Sequence, residues 1–174
     1  PRWKDEPEAK GISIAVVPTL GDIHPIRGTR SGLHDVLLNL ILNAVDAMPE
    51  GGTIAIFTRN AEEGVRLTVC DSGIGMDEEM KKRVFEPFFT TKRDVGSGLG
   101  LSTAHGLVRG WGGDMEVESA PGEGTTFAIT LPQWTGTAES EAEETDVHPA
   151  RRGRILVVED EEYIREMLSD LLSR

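Results

Sequence analysis

The sequence has little cysteine and no long apolar segment. Its 174 residues include a single cysteine, Cys70, which excludes an internal disulfide framework and a zinc site built from several cysteines. The longest apolar run, Val36 to Ile41, is interrupted by Asn39, so no segment could span a bilayer. The N-terminus has neither a signal-peptide pattern nor an initiator methionine. We therefore expect a piece of a longer protein in a reducing, cytoplasmic setting, although segments outside this chain could anchor the intact protein to a membrane.

The sequence also lacks an excess of positive charge. It has 18 Lys and Arg against 30 Asp and Glu, a net charge of −12, which disfavours general binding to nucleic acid or to acidic membranes. Residues 135–149 contain five acidic residues, no Lys or Arg, and almost no large apolar side chains. This composition predicts a flexible acidic linker over 135–150, between a domain at 1–134 and a short segment at 151–174.

Hydrophobic periodicity predicts a domain that contains both helices and strands. We expect a strand over 11–17, a loop over 18–28, and a helix from Thr29 or Ser31 to about Met48. Further strands are expected at 53–59, 64–70, 114–119 and 124–131, and further helices at 77–83 and 99–109. This order predicts the α+β class, as a two-layer α/β sandwich with helices on one face of a mixed β-sheet.

Three motifs combine polar side chains or glycines in patterns that can bind a ligand. Asn39, Asn43 and Asp46 are spaced so that they form one polar stripe on an otherwise apolar helix. Such a stripe can hold a hard cation together with phosphates, or its amides can be satisfied by ordinary contacts within the fold.

The second motif is the segment Asp71 to Gly75, which follows an apolar strand. A carboxylate there can accept a hydrogen bond from an exocyclic amine, and Gly73 and Gly75 allow the backbone to approach a flat ring. The alternative is a simple Asp-Gly turn. The third motif, Gly96 to Ser102, runs into a helix and forms either an anion site at the helix N-terminus or a flexible, capped loop.

In this order and spacing, the motifs resemble the catalytic, ATP-binding domain of sensor histidine kinases. That domain has the nucleotide-binding fold shared with gyrase, the Hsp90 chaperones and MutL, known as the GHKL or Bergerat fold. The resemblance covers about residues 11–133. The corresponding segments are the asparagine box at 39–47, the first glycine box at 71–75, the phenylalanine box at 85–92 and the second glycine box at 96–102.

The resemblance implies that the domain binds ATP and Mg²⁺. Asn43 would ligate the Mg²⁺ that bridges the ATP phosphates, and Asp71 would hold the adenine amino group, with Thr125 assisting through water. Lys92 would reach the phosphates from a mobile lid over 85–98. The residues expected to contact the nucleotide are Asn39, Asn43, Asp46, Asp71, Gly73, Gly75, Phe88, Lys92, Gly98, Leu99, Gly100, Leu101 and Thr125. Among these, Asn39, Asn43 and Lys92 are the expected catalytic residues.

Asn39 favours phosphoryl transfer over hydrolysis. Relatives that hydrolyse ATP place a glutamate four residues before the Mg²⁺-binding asparagine, and an asparagine cannot serve as a general base in its place. The resemblance therefore implies transfer of the γ-phosphate to a histidine and then to a receiver aspartate. Two alternatives remain: a degenerate docking module without kinase activity, and a hydrolytic ATPase of the gyrase or MutL kind.

The expected partners are other domains of a signalling protein. None of the four histidines (His24, His34, His105 and His148) fits the phosphoacceptor motif of histidine kinases. The resemblance thus implies an upstream dimerisation domain that carries the phosphoacceptor histidine, and a homodimeric intact protein. This fragment would bind ATP without phosphorylating itself.

The C-terminal segment resembles the first strand and helix of a response-regulator receiver domain. An apolar run at 155–158 is followed by Glu159 and Asp160, and 162–173 has an amphipathic helical pattern. The resemblance implies that Glu159 and Asp160 form the receiver's Mg²⁺-binding pair, in an incomplete domain. A receiver or a separate response regulator would then be the second partner.

Two further residues have simpler interpretations. Cys70, next to Asp71, is expected to be a buried strand residue rather than a redox or metal site. Trp111 could pack on the domain or contact a partner.

Overall fold

A five-stranded mixed sheet forms the centre of the computed structural model, which describes residues 13–90 and 97–136. The strands are β1 (Ile14–Leu20), β2 (Gly52–Ala61), β3 (Gly64–Asp71), β4 (Asp114–Ser119) and β5 (Thr125–Leu131). They lie in the order β1-β2-β3-β5-β4, with β1 parallel to β2 and the other neighbours antiparallel. The helices of the described residues are α1 (Arg30–Asp46), α2 (Glu78–Arg83) and α3 (Gly100–Gly110). The predicted α+β class and mixed sheet are confirmed.

The first strand begins and ends later than the sequence predicted. It runs from Ile14 through Pro18 to Leu20, so the expectation of a loop from residue 18 was wrong. β1 is an edge strand, and a proline there can leave the ladder intact when its nitrogen faces away from the neighbouring strand. Pro18 accordingly keeps its register opposite Ile56 of β2. Residues 11 and 12 of the predicted strand lie outside the described residues.

The hairpin between β2 and β3 is longer than expected. Ala61 pairs with Gly64, so only Glu62 and Glu63 form the turn, and the expected end of the strand at residue 59 was two residues early. Gly64 has a φ of +134° and its backbone meets the Leu131 carbonyl, where a Cβ would clash. Glycine therefore permits both the tight turn and the close approach of β5.

Helix α1 begins and ends at identifiable capping groups. Thr29 is the N-cap, and its Oγ1 accepts a hydrogen bond from the Gly32 amide at 3.1 Å. The helix ends at Asp46 rather than Met48, and the Ala47 amide donates to the Asn43 carbonyl. Its buried face of Val36, Leu40 and Ala44 packs in the core.

The core lies between the helices and one face of the sheet. Leu67 of β3 is opposite Ile129 of β5, which is 1% exposed, and Val69 is opposite Phe127. Ala104 and Val108 of α3 join the same cluster. Helices pack on one face of the sheet, as predicted, and no helix of the described residues covers the other face, a common arrangement in sheets with antiparallel strands. Within residues 13–90 and 97–136, no helix is long and apolar enough to cross a membrane.

The structure shows the surroundings of Trp111 and Cys70. Trp111 packs on the domain, because a Cβ added at Gly32 would lie 2.6 Å from its ring and one added at Gly28 would lie 3.2 Å from it. Cys70 is half-buried rather than buried, on the opposite face of the sheet from Asp71. The Thr126 hydroxyl donates to its sulfur at 3.3 Å.

Candidate nucleotide-binding site

The polar stripe of α1 lies beside the buried face of that helix. Asn39 and Asn43 are half-buried, and Asp46 is exposed one turn nearer the C-terminal end. The side-chain nitrogen of Asn43 donates to the Asn39 carbonyl at 2.8 Å. Because this bond uses the nitrogen of the Asn43 amide, its Oδ1 remains available as an acceptor. Oxygen is the atom that Mg²⁺ prefers in proteins.

The first glycine box closes onto the C-terminal end of α1. Asp71 is the last residue of β3, and its Oδ1 accepts a hydrogen bond from the Gly73 amide at 2.9 Å. A Cβ at Gly73 would lie 2.6 Å from the Ala47 carbonyl oxygen, which also accepts from the Ile74 amide at 2.9 Å. The absence of a side chain at Gly73 thus lets the box reach the end of the asparagine-bearing helix.

The other side of this box contacts the turn between β4 and β5. Gly75 has a φ of +67°, and its backbone meets the Ala120 carbonyl, where a side chain would clash. The Gly122 amide donates to the Ile74 carbonyl at 2.7 Å. The box is therefore held between α1 and the β4–β5 turn.

Asp71 and Thr125 are direct neighbours across the β3–β5 ladder. Thr125 is 5% exposed, and both residues occupy the helix-facing side of the sheet. Burial raises the pKa of the Asp71 carboxyl above its ordinary value, while hydrogen bonds from the Gly73 and Thr125 amides lower it in opposition. The Asp71 carboxylate is thus partly shielded from water, and two backbone N–H donors stabilise its charged form.

The second glycine box brings the N-terminus of α3 to the asparagine stripe. A Cβ at Gly100, the first residue of α3, would lie 2.7 Å from Asn39 Oδ1. Leu99 occupies the N-cap without a side-chain hydrogen bond, so no cap side chain satisfies the first-turn amides, including that of Leu101. An uncapped helix N-terminus attracts phosphate through these amides and the helix dipole.

The phenylalanine box meets the second glycine box through the backbone. The Phe88 amide donates to the Gly98 carbonyl at 3.0 Å, and both residues have a φ of +66°. Phe88 is 74% exposed, and a positive φ is uncommon for a bulky residue. The lid predicted over 85–98 is only partly described, and Lys92 lies outside the described residues.

An aromatic stack links this region to the sheet. His105 of α3 stacks on Phe85, with ring centroids 4.7 Å apart, and Phe85 meets the edge of Phe127 of β5 at 6.2 Å. The stack connects α3, the phenylalanine box and the strand that carries Thr125. The sequence pattern does not predict this stack, because it depends on contacts between segments that are distant along the chain.

Sequence reasoning also missed Ser119, the last residue of β4. Its hydroxyl accepts from the Met76 amide at 2.8 Å, donates to the Gly124 carbonyl at 2.7 Å, and lies 3.1 Å from the Thr125 hydroxyl. These bonds tie the first glycine box to β5. No sequence signal marked Ser119, because its role depends on the pairing of β4 with β5.

The donor set suits Mg²⁺ better than a metal held by many side chains. In the described parts of the chain, no group of three or more His, Cys, Asp and Glu side chains could hold a metal ion. Mg²⁺ needs few protein ligands when phosphates and waters complete its shell, and the Asn43 oxygen fits that pattern. The expected receiver ligands, Glu159 and Asp160, lie outside the described residues.

Two surface cavities of the described residues are lined by residues other than Asn43 and Asp71. One cavity of about 260 Å³ is lined by charged residues, including Arg66 and Glu116, which pair with each other at 3.3 Å. Another, of about 360 Å³, lies beside the β4–β5 turn. Neither includes Asn43 or Asp71, so the convergence of the boxes defines the site better than cavity volume does.

The combination of asparagine stripe, glycine boxes and helix N-terminus places the chain in a known class. The family model described as histidine kinase-, DNA gyrase B- and HSP90-like ATPase matches residues 28–135. The chain belongs to this family.

Individual relatives are histidine kinases and sensor kinases. The chain is 36% identical over 169 residues to the sensor kinase CckA of Brucella abortus (strain 2308), an alignment covering 83% of this chain and 18% of that protein. The nucleotide-free catalytic domain of histidine kinase ThkA matches with a TM-score of 0.62 and 31% identity, over 76% of this chain and 86% of that one. Full-length ShkA in complex with AMPPNP matches with a TM-score of 0.63 and 28% identity, over 78% of this chain and 29% of that one.

Proposed function

We propose that this chain contains the ATP-binding catalytic domain of a sensor histidine kinase, which transfers the γ-phosphate of ATP to a histidine on a separate dimerisation domain. The observation that carries the proposal is the convergence of three elements on one region. The Asp71 box closes onto the end of α1, and the N-terminus of α3 contacts Asn39. These elements offer, in turn, an acceptor for a base, an oxygen for a cation and amides for phosphates.

Each part of ATP has a complementary group in this arrangement. The Asp71 carboxylate would accept from the adenine amine, with Gly73 and Gly75 against the ring. The amides around Gly98 to Leu101 would hold the phosphates, and Lys92 would add positive charge. Asn43 Oδ1 would hold Mg²⁺, which bridges the phosphates and neutralises charge when bound. The AMPPNP complex of the relative ShkA supports a nucleotide ligand.

The residue at position 39 supports transfer rather than hydrolysis. An asparagine amide has no basic site at neutral pH, so it cannot activate a water molecule. Here Asn39 Oδ1 lies beside Gly100 at the N-terminus of α3, a position suited to contacting phosphates. We therefore assign Asn39 to phosphate positioning, and the acceptor of the phosphoryl group to a protein side chain.

The phosphoacceptor histidine would belong to an upstream dimerisation domain of a homodimer. His34 is 72% exposed on α1 and pairs with Asp35 at 3.4 Å, while His105 is stacked on Phe85. The chain spans 18% of the length of CckA, which leaves room in such proteins for other domains. We also propose that 135–150 is a linker and that 151–174 begins a receiver, with Glu159 and Asp160 as its Mg²⁺ pair.

Labelled ATP distinguishes this proposal from the alternatives. With Mg²⁺ and γ-labelled ATP, we expect a longer natural form that includes the upstream region to gain acid-labile phosphohistidine. The 174-residue chain alone should bind ATP without gaining label. Brisk ATP hydrolysis that requires Asn39 would instead indicate a hydrolytic ATPase. Absence of nucleotide binding in a folded sample would favour a docking module.

A further inference from the structure

The hydroxyl of Ser119 has all of its hydrogen-bonding capacity committed. A serine hydroxyl has one proton to donate and two lone pairs to accept with. The Gly124 carbonyl, 2.7 Å away, can only accept, and the Met76 amide, 2.8 Å away, can only donate. The proton of Ser119 therefore goes to Gly124, and one lone pair is used by Met76.

This assignment determines the direction of the bond between Ser119 and Thr125. Their oxygens lie 3.1 Å apart, and either could in principle donate. Since the only proton of Ser119 is used on the shorter bond to Gly124, the Thr125 hydroxyl must donate to Ser119. Thr125 Oγ1 is then left with lone pairs alone for any other contact.

Thr125 and Asp71 consequently present the same hydrogen-bonding polarity. They are directly paired across β3 and β5, on the same side of the sheet. An ionised carboxylate only accepts hydrogen bonds, and Thr125 is restricted to accepting by Ser119. At C6, a purine with an amino group donates and matches both residues. A purine with a carbonyl at C6 places a third acceptor there and carries its donor at N1 instead.

We propose that Ser119 is a positioning residue for base specificity: by accepting the hydrogen bond of Thr125, it makes the base pocket select 6-amino over 6-oxo purine nucleotides. The inference rests on the proposed function, because it concerns the base of the same nucleotide. Ser119 acts through Thr125 and need not touch the nucleotide.

The test compares the affinities for ATP and inosine triphosphate, which carries a carbonyl at C6. In Ser119→Ala, the Thr125 hydroxyl is free to rotate and donate to that carbonyl. We expect the preference for ATP to fall about two- to tenfold, which corresponds to one ordinary hydrogen bond. Ser119→Thr keeps a hydroxyl and should retain the wild-type ratio. If Ser119 had a purely structural role, Ser119→Ala would weaken the binding of both nucleotides by the same factor and leave the ratio of their affinities unchanged.

Two further variants provide controls. Thr126→Ala alters the next residue of β5, which faces the other side of the sheet and contacts Cys70, so it should leave the ratio unchanged. Thr125→Val removes the hydroxyl itself, so it should lower the ratio, and adding Ser119→Ala to it should have no further effect on the ratio.

The outcomes separate this inference from the proposed function. If the wild-type chain binds ATP but the ratio is the same in Ser119→Ala, the inference is wrong and the proposed function stands. If Ser119→Ala does not fold, an unchanged ratio in Thr125→Val overturns the inference equally. If the folded wild-type chain binds neither nucleotide, the proposed function fails, and the inference fails with it.

Discussion

Gly100→Ala should separate nucleotide binding from stability. The added Cβ would lie 2.7 Å from Asn39 Oδ1, which is closer than ordinary contact, and 3.4 Å from Asn39 Cγ. These atoms belong to the end of a flexible side chain, so the amide can move aside at small cost to the fold. The movement would take Asn39 away from the N-terminus of α3, where the phosphates are proposed to lie.

The expected effects of Gly100→Ala on stability and on ATP affinity differ in size. Alanine is favoured over glycine within helices by about 0.5–1 kcal/mol, and at the first position of α3 this gain should roughly offset the displacement of Asn39. Losing one hydrogen bond to a charged phosphate costs about 1.5–3 kcal/mol, or roughly ten- to 150-fold in affinity. We therefore expect a nearly unchanged melting temperature and a large loss of ATP affinity.

Gly106→Ala is the matched control in the same helix. A Cβ at Gly106 meets nothing within 4 Å, so this variant should raise the melting temperature by a few degrees and leave ATP affinity unchanged. Calorimetric titration with ATP and Mg²⁺, beside thermal melts, measures both effects. Wild-type affinity in Gly100→Ala, or equal losses of affinity in the two variants, would refute the placement of Asn39 beside the phosphates.

Three further predictions follow from specific contacts. Gly32→Ala forces a methyl group to within 2.6 Å of the Trp111 ring and should destabilise the domain by about 1–3 kcal/mol in a denaturant titration; an unchanged midpoint would contradict this packing. Asp71→Asn should lower ATP affinity roughly ten- to 150-fold without lowering the melting temperature, because the raised pKa means that the fold disfavours the charged carboxyl. The raised pKa also means that folding takes up a proton when the pH lies between the ordinary pKa of 3.8 and the pKa of the folded state. The stability contributed by Asp71 should therefore fall as the pH rises through that window. ATP affinity should increase over the same window, because the ionised carboxylate is the better acceptor. Asp71→Asn should abolish both trends, and trends that persist in this variant would contradict their assignment to Asp71.

Local patterns were sufficient to predict the order and type of the helices and strands in the described residues. The 3.6-residue spacing of Val36, Leu40 and Ala44 indicated α1, and Thr29 was correctly expected as a possible cap. The largest discrepancy is at β1, where Pro18 predicts the end of the strand but the strand continues to Leu20. The position of β1 at the sheet edge, which tolerates a proline, depends on strand order and cannot be read from local sequence.

Local sequence patterns could not predict the contacts between segments that are distant along the chain. Ser119 and Thr125 meet only because β4 and β5 pair in one register, and a shift of one residue would put them on opposite faces. The packing of Trp111 on Gly28 and Gly32 similarly requires α1 and α3 to be neighbours. The sequence alone predicts candidate residues for the chemistry, whereas the fold determines how those residues are oriented.

Calorimetric titration of ATP into the chain, with and without Mg²⁺, is the most direct test that this domain binds ATP together with Mg²⁺. We expect ATP binding that Mg²⁺ strengthens, and loss of that Mg²⁺ dependence in Asn43→Ala, because Asn43 Oδ1 is the proposed protein ligand. His34→Ala, on the exposed side of the same helix, should behave like the wild-type chain. Absence of ATP binding by the folded wild-type chain would contradict the proposed function. A Mg²⁺ effect that persists in Asn43→Ala would contradict the assignment of Asn43 as the Mg²⁺ ligand.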